Sequence, residues 1–143
     1  MSLKTKIIIY TLSGLIPLYL ITAVIHIDSL NLFNIDKKKL DNIILLYAYL
    51  IISFLSGMHW QKLILNNKKS FLIYPIFFIV IFWLGIVFIN EEYLSILLIF
   101  GLCICLLIDL SILKNLNKYW YKKLRIITTF LAILPLTYNF FYQ

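Results

Sequence analysis

Residues 93–113 of the chain read YLSILLIFGLCICLLIDLSIL, and this stretch decides the fold class. Its 21 residues include a single charged side chain, that of Asp109. An α-helix needs about 20 mostly apolar residues to cross the hydrocarbon core of a bilayer. The stretch is about twice as long as a transmembrane β-strand requires, and it lacks the strict alternation of such a strand. It therefore predicts a transmembrane helix.

Four more stretches of the same kind predict a polytopic all-α membrane protein. The chain has 143 residues, of which 63% are hydrophobic and 13% charged, whereas soluble domains have about 45–50% and about 25%. A soluble sphere of this size could not bury so much apolar surface. We expect a bundle of five transmembrane helices and one membrane domain over residues 1–143, with spans at 7–26, 42–65, 71–89, 93–113 and 126–142.

Positive charge predicts the orientation of the bundle. Ten of the 13 basic residues fall in the N-terminal tail, in residues 62–69 and in residues 114–125. These segments lie on one side of the five predicted spans, and basic residues are enriched on the cytoplasmic side of membranes. We therefore expect the N-terminus inside and the C-terminus outside, although the run Lys37–Lys39 lies on the other side. The first span has nearly full membrane length, which favours an uncleaved helix over a signal peptide.

The basic residues lie at the ends of spans, which disfavours nucleic-acid binding despite a net charge of +7. Tyr119, Trp120 and Tyr121 stand between lysines, and this segment predicts an interfacial anchor before the last span.

The links and the cysteines exclude several kinds of chemistry. The longest link, Ile27–Asp41, is far shorter than the roughly 50 residues of a small soluble domain. Cys103 and Cys105 lie about 200° apart on a helix, so they cannot readily form a disulfide or share a metal ion, and they read as packing residues. His26 and His59 fall near opposite membrane faces and cannot share one haem. We expect no metal and no cofactor, and no phosphate-binding or nucleophile motif occurs in the sequence.

Three ionisable residues form a candidate intramembrane polar cluster: His59, Asp109 and Arg125. Ionisable groups inside a bilayer are costly and are candidates for function by default. At 1.5 Å per residue, the three residues fall in one layer near the inner ends of their helices. Trp60, Gln61 and Tyr74 share this layer, and Trp120 is a further supporting residue.

Two interpretations of this cluster stay open. In the structural one, Asp109 pairs with Arg125 and His59 locks the helices together. In the functional one, His59 and Asp109 accept protons, or they hold the headgroup of a lipid or a quinone.

Small residues predict places where helices approach closely. Ser53 and Gly57 lie four residues apart in the second span, and Gly101 begins a similar row in the fourth. If these rows met, His59 and Asp109 would come near one another.

The segment 47–60, YAYLIISFLSGMHW, resembles the second-span signature of the transmembrane protein 69-like proteins of bacteria and mitochondria. Residues 14–17 (GLIP), Tyr74–Pro75, Asp109 and residues 120–128 (WYKKLRIIT) resemble the same pattern, so the similarity covers nearly the whole chain. The resemblance implies a multi-pass protein of the bacterial or mitochondrial inner membrane. It implies no particular reaction.

The sequence therefore favours a small integral membrane protein without enzymatic activity, acting as an accessory, assembly or structural subunit. The alternative is a proton-coupled transporter, or a lipid- or quinone-binding protein, that uses His59 and Asp109. We expect membrane lipids as partners, together with another membrane protein or a second copy of the chain.

Overall fold

A computed structural model of the chain describes residues 2–26, 37–65, 73–112 and 119–142. Within these ranges the structure is helical and holds no strand. The six helical segments are α1 (Leu3–Ser13), α2 (Ile16–His26), α3 (Lys37–Leu65), α4 (Tyr74–Phe88), α5 (Glu91–Ile112) and α6 (Tyr119–Tyr142).

Within the described ranges, four stretches are long and apolar enough to cross a membrane, so the chain is a multi-pass membrane protein. They are Leu3–Ile25, Lys38–Gln61, Tyr93–Ser111 and Tyr119–Phe141. Helix α4 is apolar but has only 15 residues, which corresponds to about 22 Å. Its first turn contains Pro75, a position where the missing N–H group leaves no helical hydrogen bond unmade.

Two helices begin before the predicted starts of their membrane spans. Helix α3 begins at Lys37, so the last five residues of the predicted link Ile27–Asp41 are helical, while residues 27–36 lie outside the described part. Helix α6 begins at Tyr119, seven residues before the predicted start of the fifth span. The interfacial aromatic segment is therefore its first turn. Charged residues marked the predicted boundaries, but long basic side chains can extend to the interface from within a helix.

The first span is divided into α1 and α2 by a turn at Gly14 and Leu15. Pro17, one residue into α2, has no N–H group to continue the hydrogen bonding of α1. The hydroxyl group of Tyr47 on α3 donates a hydrogen bond of 2.8 Å to the carbonyl oxygen of Gly14. A side chain of the neighbouring helix thus supplies a polar partner to the backbone at the break, as buried backbone in a membrane requires.

Helices α3 and α5 form the centre of the bundle. Helix α3 packs against α2, α4, α5 and α6, and α5 packs against α3, α4 and α6. Residues with no exposed surface include Leu18, Ile44, Ile52, Leu98 and Leu136. By contrast, α1 contributes no buried side chain and packs mainly against α6. The N-terminal segment is therefore the least embedded helix of those described.

Of the two predicted rows of small residues, only the row on α5 lies at a helix contact. A Cβ atom added to Gly101 would come within 2.5 Å of the Phe82 ring and 2.9 Å of Ile52 Cδ1. Gly57 is exposed, and a Cβ atom there would meet nothing within 4 Å. The expectation for Gly57 is therefore wrong, because the side of α3 that faces the bundle carries Ser56 and His59, while Ser53 is only half-buried.

The two cysteines also differ in burial. Cys105 is buried in the core, whereas Cys103 is exposed on the opposite side of α5, and both are free thiols.

Candidate functional site

Four polar side chains from four different helices form a continuous set of contacts, here called the polar network (Tyr74, His59, Asp109 and Arg125). The Tyr74 hydroxyl lies 2.9 Å from Nδ1 of His59, and Nε2 of His59 lies 3.1 Å from Oδ1 of Asp109. Nε of Arg125 donates a 2.6 Å hydrogen bond to Oδ2 of Asp109, and Arg125 Nη2 forms an ion pair with the same oxygen. The network therefore joins α4, α3, α5 and α6.

Three of the four network residues are buried, and Tyr74 is half-buried. His59 is 0% exposed, Asp109 1% and Arg125 7%. Removing one partner of a buried ion pair leaves an uncompensated charge, so each group depends on its neighbour. Asp109 and Arg125 together carry no net charge, which leaves the network neutral when the imidazole is neutral.

One tautomer of His59 satisfies both of its contacts. A carboxylate only accepts hydrogen bonds, so Nε2–H of a neutral His59 donates to Asp109. Nδ1 is then an acceptor, and the Tyr74 hydroxyl donates to it. Each ring nitrogen is therefore occupied by a protein group.

The helices place these residues near ends that meet at one side of the bundle. Tyr74 begins α4, and Asp109 lies three residues before the end of α5. His59 lies six residues before the end of α3, and Arg125 six residues after the start of α6. The sequence placed His59, Asp109 and Arg125 in one layer, and the structure brings them into contact. The sequence alone could not identify which helices are neighbours, so Tyr74 was predicted only to lie in the same layer.

The predicted supporting residues lie outside the network. Trp60 is 43% exposed, and Gln61 is also exposed, because both follow His59 on the outward side of α3. Trp120 is half-buried at the start of α6, where Lys4 Nζ lies 5.6 Å from the centre of its ring. His26 ends α2, and its side chain lies outside the described part. In the described ranges, no three His, Cys, Asp or Glu side chains come together as metal ligands.

A cleft of about 760 Å³, here called the lateral cleft, lies between α1, α3 and α6. Nothing in the sequence predicted it. Its walls are mostly apolar and include Ile7 of α1, Leu50 and Phe54 of α3, and Ala132 of α6. Arg125 also lines it, but neither His59 nor Asp109 does. The cleft depends on the break at Gly14 and on which helices are neighbours. Hydrophobic periodicity in the sequence predicts neither of these features.

One end of the lateral cleft is basic and aromatic. Trp120 and Tyr121 line it, with their ring centres 5.7 Å apart in an edge-to-face arrangement. Lys4 lies over Trp120, and Lys123 Nζ lies 5.0 Å from the centre of the Tyr119 ring. Aromatic and basic residues of this kind are typical of the membrane–water interface.

The bundle and its buried ion pair define the class: a small, α-helical, multi-pass membrane protein. The family described as "Protein of unknown function (DUF3429)" matches residues 3–141, and the chain belongs to this family. No curated protein and no solved structure matches the chain.

Proposed function

We propose that the protein is a non-enzymatic accessory, assembly or structural subunit of a bacterial or mitochondrial inner membrane, similar to the transmembrane protein 69-like proteins. The observation that carries the proposal is the continuous set of contacts in the polar network. Both ring nitrogens of His59 and both carboxylate oxygens of Asp109 contact protein groups. Such an arrangement favours holding four helices in register over binding a substrate.

The ion pair supports the same conclusion. Asp109 and Arg125 carry opposite charges in direct contact, and removing either partner would leave the other charge buried, at a cost of several kcal/mol. This dependence favours a fixed structural role for the network.

We further propose five membrane crossings, with the N-terminus on the cytosolic or matrix side. Tyr74 begins α4 and contacts His59, which in turn contacts Asp109, 18 residues after the start of α5. At 1.5 Å per residue, the start of α5 lies about 27 Å from the network. Helix α4 leads from the network to that start, which supports a fifth crossing despite its 15 residues.

Abundance and transport in matched variants test the proposed role. We expect His59→Ala and Asp109→Asn to lower the amount of folded protein and the recovery of any co-purifying subunit in a mild-detergent pull-down. Gln61→Ala, an exposed change two residues from His59, is the control and leaves both unchanged. If both network variants accumulate like the wild type but abolish a solute or proton flux in proteoliposomes, the proposal is wrong.

One observation favours the alternative of a proton-coupled transporter or a lipid- or quinone-binding protein. Arg125 contacts Asp109 and also lines the lateral cleft, so the network touches an open volume. A flux or a quinone affinity that depends on His59 and Asp109 at normal protein abundance would establish this second function.

A further inference from the structure

We propose that the lateral cleft binds one acyl chain of an anionic phospholipid, whose phosphate lies beside Lys4. This goes beyond the proposed subunit role, because of the four network residues only Arg125 lines the cleft, and His59 and Asp109 do not.

The extent of the cleft matches one leaflet of a bilayer. Its lining on α6 runs from Trp120 to Ala132, and twelve residues of helix span about 18 Å. Half of a bilayer's hydrocarbon core is about 15 Å. One end lies at the interfacial aromatic residues and the other near the middle of the bundle, so the cleft has the direction and length of a lipid chain.

The chemistry of the walls favours hydrocarbon over a polar ligand. Ile7, Leu50, Phe54 and Met58 present apolar side chains to the cleft. The hydroxyl group of Thr128 already donates to the Arg125 carbonyl oxygen at 3.2 Å. The volume of about 760 Å³ falls within the ~300–1,000 Å³ typical of ligand sites.

Charge at the open end specifies an anionic headgroup. Lys4 lies over Trp120, a wall residue, while Arg125 is neutralised by Asp109. Asp41, the other acidic residue whose side chain is described, lies near the start of α3, at the opposite end of the bundle. Among the described side chains, a phosphate at Lys4 therefore meets positive charge without a competing carboxylate. Each basic residue near a membrane surface favours anionic lipid by about 1 kcal/mol.

The weak embedding of α1 gives such a lipid a structural effect. Because α1 has no buried side chain, a chain in the cleft would cover Ile7 and Tyr10 on one side and Phe54 on the other. A ligand that binds only the folded protein stabilises it.

Native mass spectrometry from bilayers of equal phosphatidylglycerol and phosphatidylcholine tests the cleft. We expect one retained phosphatidylglycerol per wild-type protein. Thr11→Trp enlarges a half-buried wall residue and should abolish this retention, whereas Leu12→Trp, on the exposed side of α1, should preserve it. Equal retention by both variants, or a wild-type cleft occupied by a second copy of the chain without lipid, would overturn the proposal.

Fluorescence of Trp120 tests the preference for an anionic headgroup in a protein whose cleft is not blocked by a substitution. The chain has three tryptophans, and replacing the exposed Trp60 and Trp83 by Phe leaves Trp120 as the only reporter. We expect brominated phosphatidylglycerol to quench it more than brominated phosphatidylcholine does.

Lys4→Gln should reduce that preference about fivefold. Lys39→Gln, an exposed change at the opposite end of the bundle, should leave it intact. Equal quenching of the unsubstituted reporter by the two lipids, or an unchanged preference in Lys4→Gln, would contradict the assignment of Lys4 to an anionic headgroup.

Discussion

The hydroxyl group of Tyr19 donates a 2.8 Å hydrogen bond to the carbonyl oxygen of Leu131. Leu131 lies four residues before Pro135, which sits inside α6 and has no N–H group to donate to that carbonyl. A side chain of α2 thus replaces the helical donor that α6 lacks. In a membrane, where water cannot pair with an exposed carbonyl, this bond ties the first span to the last.

Tyr19→Phe should therefore lower the free energy of unfolding by about 1 kcal/mol, because a typical net hydrogen bond is lost. Unfolding in mixed detergent measures this change. Tyr10→Phe, which removes an exposed phenol from α1, is the control and should be neutral.

Pro135→Ala supplies the missing N–H group, so Tyr19→Phe in that background should have little further effect. An equal loss from Tyr19→Phe in both backgrounds would show that Tyr19 does not compensate for Pro135.

Two glycines provide a matched pair for the packing of α5. At Gly101, an added methyl group would overlap the Phe82 ring, and overpacking of a filled core costs about 1–3 kcal/mol. At Gly57 the space is open, and alanine is the better helix former by about 0.5–1 kcal/mol. We expect Gly101→Ala to destabilise the protein and Gly57→Ala to be neutral or stabilising. Equal stabilities of the two variants would contradict the observed packing.

Cysteine labelling checks whether α4 crosses the membrane. The background has Cys103 and Cys105 replaced by alanine. Each test variant then carries one of the changes Lys39→Cys, Asn90→Cys or Lys123→Cys, and all three positions are exposed. A membrane-impermeant maleimide should label Lys39→Cys and Asn90→Cys from one side, and Lys123→Cys from the cytosolic or matrix side. Labelling of Asn90→Cys from the same side as Lys123→Cys would exclude the proposed crossing.

The sequence was sufficient to predict the all-α membrane fold, because a run such as residues 93–113 has few stable alternatives to a buried helix. It also placed His59, Asp109 and Arg125 at one depth, since helical rise converts residue number into height. Their contacts depend on which helices are neighbours and on how each helix is rotated about its own axis. The small residues did not predict that rotation reliably. Gly101 packs against Phe82, but Gly57 faces outward.

Features that depend on two distant segments were not predictable from either one. A proline inside a helix leaves one carbonyl oxygen without its helical donor, but nothing in the sequence identified Tyr19, 112 residues away from Leu131, as the replacement donor. Likewise, the sequence placed Tyr74 in the layer of His59 but did not predict the hydrogen bond between them. The lateral cleft forms only when α1, α3 and α6 pack together.

The ion pair of Asp109 and Arg125 permits the most direct test of a structural polar network. In a double-mutant cycle, Asp109→Leu and Arg125→Met each remove one partner and leave the other charge buried. Each single change should cost about 3–5 kcal/mol in free energy of unfolding. The double variant buries no unpaired charge at this position, so its loss should be much smaller than the sum of the two single losses.

This coupling should also appear in the amount of folded protein, with the double variant recovering abundance that both single variants lose. The decisive measurement is the unfolding free energy of the four proteins under identical conditions. Strong coupling between Asp109 and Arg125 is the predicted result. Additive losses, or single variants as stable as the wild type, would contradict a network that holds the four helices together.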